Sequence, residues 1–127
     1  RLRGQIALVG SLAGLRGMPG SPAYSASKAA VRAWGQAMAI RLKAERIGVA
    51  VVLPGFVDTP MTRRNPFRMP LLMTPEHAAR IIRRRLARGE TRIAFPWPLV
   101  FGAWLVSVLP GFLADRILAH APVKSDV

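Results

Sequence analysis

Cysteine is absent, and acidic residues number six against nineteen lysines and arginines. The missing thiols exclude disulfides and thiolate metal sites. They leave the compartment open, although a reducing cytoplasm fits them. Histidine is scarce too: His77 and His120 stand too far apart in sequence to suggest a metal site. The shortage of acid leaves a formal net charge of +13, and sixteen of the nineteen cations are arginine. Such a balance favours polyanions, whether nucleic acid, anionic lipid or phosphate. The arginines are not interleaved with aromatics that could stack on bases, so a solvated basic surface is preferred over nucleic-acid binding. Charge is itself missing from residues 93–114. That length raises the question of a membrane span. Pro96, Pro98 and Pro110 leave only residues 99–109 uninterrupted, too few to cross a bilayer. A buried helix lining the core or a substrate pocket is the first reading. An interfacial helix held by Trp97 and Trp104, in peripheral contact with a membrane, is the second.

What is present suits one domain with a modest core: 127 residues, 51% of them hydrophobic. Two all-apolar runs, residues 5–9 and 49–53, read as buried parallel strands. Between them, residues 22–46 predict a long helix, with Ser21 as N-cap, Pro22 in the first turn and Gly48 ending it. Arg32, Gln36 and Lys43 mark a narrow polar face. Trp34, Met38 and Leu42 form one apolar stripe, and Ala30, Ala33, Ala37, Ile40 and Ala44 another. A helix apolar on two sides is expected to be covered on two sides. Strand, helix and strand make a βαβ unit, whose ligands lie beyond the carboxyl ends of the strands.

The residues at that end carry chemistry. Tyr24 and Lys28 stand four apart and share a helix face. A free tyrosine titrates near pH 10, at about that value, and carries protons poorly at neutral pH. An ammonium alongside favours the phenolate. Ser11, leaving the first strand, can approach the same point. Together these make Tyr24 a candidate general acid/base. Pro54 and Gly55 turn the chain sharply after the second strand and allow the backbone near a flat ring. Gly10, Gly14, Gly17 and Gly20 do not have the spacing of a dinucleotide fingerprint, and no acid follows until Glu45. They read as a flexible loop over the site.

Ser11, the Tyr24–Lys28 segment (YSASK) and the segment at 54–59 (PGFVDT) resemble the active-site half of the short-chain dehydrogenase/reductase family. The resemblance runs over about residues 5–95. It implies an α/β fold: a partial Rossmann-like, doubly wound parallel sheet of three strands with crossover helices. It implies NAD or NADP as cofactor and interconversion of a carbonyl and an alcohol. Tyr24 would move the proton, Ser11 would hold the substrate oxygen, and Lys28 would support Tyr24 and the nicotinamide ribose. Tyr24, Lys28, Pro54, Gly55, Val57 and Thr59 would contact the cofactor. The family's phosphate-binding glycines and the asparagine of its proton relay would lie in an amino-terminal half outside this chain, which begins at Arg1 two or three residues before a strand and shows no signal peptide. The 127 residues alone are therefore expected to be inactive. The longer form is expected to be a cytoplasmic homo-oligomer, with no nucleic-acid partner.

The rest reads in less detail. Residues 61–73 have no clear period and resemble the family's substrate loop. Met61 and Phe67 belong to an apolar lid suited to a hydrophobic or lipid-like substrate. Arg63, Arg64 and Arg68 are placed to meet an anionic head group or the cofactor phosphates, or are merely solvated. Thr74, Pro75 and Glu76 start a second helix that stops at Gly89. Arg80, Arg84 and Arg88 form a ridge on it, with Arg83 and Arg85 beside. Residues 91–95 are a third strand. The organisation is then residues 1–95 as the Rossmann-like part, 96–121 as an apolar helical extension and 122–127 as a loose tail. The alternative reading is an inactive fragment that binds a membrane surface or a partner.

Overall fold

The three apolar runs become one parallel sheet in the computed structural model, which describes residues 1–121. The expected tail at 122–127 lies outside the described residues. In chain order the elements are β1 (Gly4–Val9), α1 (Pro22–Arg41), β2 (Ile47–Pro54), α2 (Pro75–Ala87), β3 (Arg92–Phe95), α3 (Trp97–Val108) and α4 (Gly111–Leu118). Single 3-10 turns occupy Leu12–Gly14 and Thr62–Arg64. Strand order is β1-β2-β3, with Gly4 opposite Ile47, Val9 opposite Val52, and Pro54 opposite Phe95. Parallel pairing requires crossovers, and α1 and α2 supply them.

The central strand explains its own sequence. Val49 to Leu53 are all buried, because helices cover both faces. Ala50 and Val52 join Ile93, Phe95 and Ala78 on the α2 side. Val51 and Leu53 join Leu12 on the other, under Leu99, Val100 and Ala103 of α3. Each fully buried valine or leucine contributes about 1.5–3 kcal/mol over its exposed state. The segment after β3 is thus part of the same packing, with Ala114 and Leu118 of α4 buried as well.

Three expectations change. The run at 5–9 forms a strand, but not a buried one: Ile6 is 40% and Val9 61% exposed. β1 is an edge strand, and no described residue covers its outer side. Helix α1 stops at Arg41 rather than near Arg46. Residues 42–46 turn instead, and Arg46 takes a positive φ of 58° so that Arg3 N–H can meet its carbonyl at 2.7 Å. Gly48 belongs to β2, opposite Gln5, and caps nothing. Helix α1 packs on the sheet by one side, as expected, and within the described residues of this single chain its other side is open. Ser25 and Gly35 are its buried residues, while Trp34 and Ile40 are exposed. A Cβ on Gly35 would fall 2.5 Å from Val51 Cγ2, so the helix sits close on the sheet there.

Other local signals hold. The Thr74 hydroxyl accepts from His77 N–H at 3.2 Å, capping α2. Gly89 takes a φ of 73° after that helix, a conformation glycine tolerates without strain. Ser21 stands at the α1 N-cap position, but its side chain makes no capping bond. The arginine ridge on α2 is solvated, except Arg85. Its guanidinium binds Glu90 Oε2 at 2.6 Å and the carbonyls of Ala94 and Arg92, tying α2 to β3. On α3, Trp97, Phe101 and Val108 remain exposed. No helix among the described residues is long and apolar enough to cross a membrane.

Candidate active site

The carboxyl ends of β1 and β2 open on a cleft of about 560 Å³. Ser11, Tyr24, Pro54, Gly55, Met61 and Phe67 all line it. These six come from the expected site and converge from four separate segments. The topology does this: Ser11 leaves β1, Tyr24 begins the crossover helix, and Pro54 ends β2. The far wall is α3, through Leu99, Gly102, Ala103 and Val106.

Ser11 caps the 3-10 turn that follows it, its Oγ accepting Ala13 N–H at 3.1 Å. The hydroxyl proton stays available for a ligand oxygen. Tyr24 is half-buried. The Lys28 ammonium lies 5.6 Å from the centroid of the Tyr24 ring, as the four-residue spacing requires. Lys28 does not line the cleft, and its Nζ donates to the Val9 carbonyl at 3.2 Å. Two of its three donors are unused among the described residues.

Val57 and Thr59 also stand apart from the cleft. Val57 bridges to Met73 in parallel pairing. Thr59 is bound to Thr62: its N–H donates to Thr62 Oγ1 at 2.9 Å, and the two hydroxyls lie 3.2 Å apart. Thr62 Oγ1 donates to the Val57 carbonyl at 2.5 Å, which closes a tight corner after β2. Of the loop arginines, Arg68 lines the cleft. Arg63 is engaged elsewhere, forking onto Asp58 at 2.7 and 3.3 Å. That hydrogen bond holds the Asp58 carboxyl below its usual range. The pair is solvated, so it contributes little beyond shaping the loop.

The glycine-containing loop at 10–20 is pinned, contrary to expectation. Ser25, which reads in sequence as a small spacer, is 2% exposed and its hydroxyl is the pin. It lies 2.6 Å from the Ala13 carbonyl and 2.8 Å from the Arg16 carbonyl, and it accepts Met18 N–H at 3.2 Å. Arg32 adds a bond from Nε to the Gly14 carbonyl at 3.3 Å, and so leaves the polar face expected of it. Ser25→Ala would strand a buried donor and two acceptors. It is expected to lower stability by about 1–3 kcal/mol. The reading is the urea midpoint at constant slope; an unmoved midpoint would mean that other contacts hold the loop.

Two more lining residues escaped the sequence reading. Asn65 has a buried Oδ1 without a partner, and its Nδ2 faces only Met69 Sδ at 3.4 Å. Arg16 reaches across to α3 and α4, far from it in sequence. Nothing local marks either residue.

A family model described as short chain dehydrogenase matches residues 1–68. An uncharacterized oxidoreductase of Myxococcus xanthus is 37% identical over 115 residues, which are 91% of this chain and 46% of that protein. A 3-oxoacyl-(acyl-carrier-protein) reductase of Thermotoga maritima is 38% identical over 89 residues, 62% of this chain and 36% of that one. In structure, the chain resembles a short chain dehydrogenase from Burkholderia cenocepacia solved in complex with NADP. The TM-score is 0.70 at 27% identity, covering 92% of this chain and 47% of that one. The chain spans about half the length of the curated relatives it matches.

Proposed function

This chain belongs to the short chain dehydrogenase family of oxidoreductases, and from that premise we propose that its cleft serves NAD(P)-dependent interconversion of a carbonyl and an alcohol, with Tyr24 as general acid/base. The observation that carries this reading is the convergence of Ser11, Tyr24 and the turn at Pro54 and Gly55 on one cleft, with Lys28 beside the phenol.

The donor set fits the nicotinamide end of a dinucleotide. Lys28 retains two donors, enough for a ribose diol, and it sits on the helix face that carries Tyr24. Pro54 and Gly55 present a side-chain-poor edge where the cleft meets the sheet. Tyr24, Lys28, Pro54 and Gly55 would hold that end, with Val57 and Thr59 just beyond. The cofactor, when bound, would supply a hydride in reduction (as NADH or NADPH) and accept one in oxidation (as NAD or NADP). The chain's own residues do the rest. Ser11 donates a hydrogen bond from its hydroxyl to the substrate oxygen and fixes its position, keeping its proton. Tyr24 gives its phenolic proton to that oxygen in reduction and takes it back in oxidation. Lys28 steadies the phenolate left behind. Leu12, Leu15 and Leu99 exclude water from the reacting centre and suit a hydrophobic substrate.

Two further observations bear on what this length of chain can do. It matches 46% of the Myxococcus protein, and β1 leaves Ile6 and Val9 exposed. We therefore expect the 127 residues alone to show no turnover, and a chimera that joins them to the amino-terminal half of the Myxococcus relative to show it. The test is oxidation of NADPH or NADH by the purified chimera with a panel of hydrophobic ketones. A folded chimera that reduces none of them would sink the reading. Turnover by the isolated 127 residues would remove the need for the second half.

A further inference from the structure

Of the two cleft cations that the catalytic reading leaves without a task, Arg16 and Arg68, Arg16 is the less exposed. Its side chain is only 26% exposed, and it lines the cleft. Its backbone is fixed, because the Arg16 carbonyl takes the Ser25 hydroxyl at 2.8 Å. Its guanidinium is poorly matched. Nη1 reaches the Val106 carbonyl at 3.4 Å, the outer limit of a hydrogen bond. Nη2 stands 3.8 Å from Asp115 Oδ1, too far to bond, and that carboxylate is 80% exposed. A guanidinium has five donors. Among the described residues, one of Arg16's is engaged, and weakly. A charge three-quarters removed from water and so thinly paired is costly unless something completes it. Arg16 also borders a second hollow beside Asp115, but the cleft is the side on which a substrate would meet it. No aspartate or glutamate lines that cleft, and a second cation, Arg68, does. The remaining wall is largely apolar, through side chains such as Leu12, Leu15, Phe67 and Leu99.

We infer that the substrate is an elongated amphiphile, a carbonyl compound with an apolar chain and a carboxylate, and that Arg16 is the specificity-determining residue that reads the carboxylate. The inference rests on the cleft being the substrate site, and it deepens that reading. Planar guanidinium and planar carboxylate match as a two-bond fork, which is stronger than either contact Arg16 now makes. Asp115 competes for the same guanidinium at long range, so it weakens the anion's hold without occupying the fork.

The test compares 9-oxodecanoate with its methyl ester, by calorimetric binding to the 127-residue chain, its Arg16→Met variant and its Asp115→Asn variant. The acid is expected to bind at least about tenfold more tightly than the ester, and Arg16→Met to erase that preference while leaving the ester within about twofold. Asp115→Asn, a change at the surface, is expected to tighten the acid about threefold and leave the ester alone. Should Arg16→Met fail to fold, the Asp115→Asn arm decides. Equal binding of acid and ester by the wild type, or a preference that survives Arg16→Met, would overturn the inference. So would tight NADPH binding that Arg16→Met abolishes, since the guanidinium would then serve a phosphate. Binding needs no turnover. A carboxylate preference without ketone reduction by the chimera would sink the reductase reading alone. Ketone reduction without a carboxylate preference would sink this one alone.

Discussion

Turnover by the chimera is expected to fall about 100- to 10,000-fold when Tyr24 becomes phenylalanine. The change removes one oxygen and the proton it carries. It keeps the ring, which is half-buried in the cleft wall, and it keeps the face over which Lys28 stands at 5.6 Å. The phenol makes no hydrogen bond to any described residue, so no fold-holding contact goes with it. Stability and cofactor affinity should therefore change little, and the loss should appear in kcat rather than KM. No other tyrosine or histidine of this chain is placed to stand in. Tyr24 is the single tyrosine of the chain, and neither histidine lines the cleft. Ser11 can orient a carbonyl oxygen, but an aliphatic hydroxyl is a far weaker acid than a phenol and a poor proton donor at neutral pH. Full turnover by a folded Tyr24→Phe chimera would mean that the proton comes from elsewhere, and the assignment of Tyr24 would be wrong.

What the sequence made visible follows from local rules. Apolar runs of five residues flanking a long helix gave the parallel pairing of β1 and β2. Thr74 followed by Pro75 gave the start of α2. Residues four apart gave Tyr24 and Lys28 a common face. What it hid depends on distant partners. The apolar strand β1 looks buried in sequence, yet its exposure depends on how many neighbours the sheet provides, and β1 has one. Trp34 reads as part of a core stripe, but the stripe that meets the sheet runs through Ser25 and Gly35, where small size lets the helix approach. Ser25 has no signature beyond its size, because its three partners lie in the 3-10 turn and the irregular loop after it, seven to twelve residues away. Arg16 meets Val106 across ninety residues of sequence. Residues 10–20 read as flexible from their four glycines, although one of those glycines lets the loop close on α1.

That glycine is Gly14, and Gly14→Ala is expected to be a severely damaging single-methyl change. A Cβ at Gly14 would fall 2.7 Å from the Lys28 carbonyl carbon, 2.8 Å from its oxygen and 2.9 Å from Ala29 N. All three are main-chain atoms inside α1, so no side chain can rotate away to make room. Either the 3-10 turn lifts off the helix or the helix bends. Both movements separate Ser11, which caps that turn, from Tyr24, which begins that helix. Lifting the turn also strains the bonds that Ser25 and Arg32 make to the loop. Overpacking of this kind costs about 1–3 kcal/mol where neighbours can shift, and more where they cannot. We expect about 3 kcal/mol here, with the chimera's turnover reduced at least about tenfold even where the protein stays folded. Gly17 is the control. It lies in the same loop, and a Cβ there meets nothing within 4 Å. Gly17→Ala should be neutral or slightly stabilising, through the stiffer unfolded chain. Paired urea titrations and rate measurements separate the two outcomes. If both alanines behave alike, the approach of loop to helix at Gly14 does not position the site. If only Gly14→Ala loses stability and rate together, the contact between the 3-10 turn and α1 is what sets Ser11 against Tyr24.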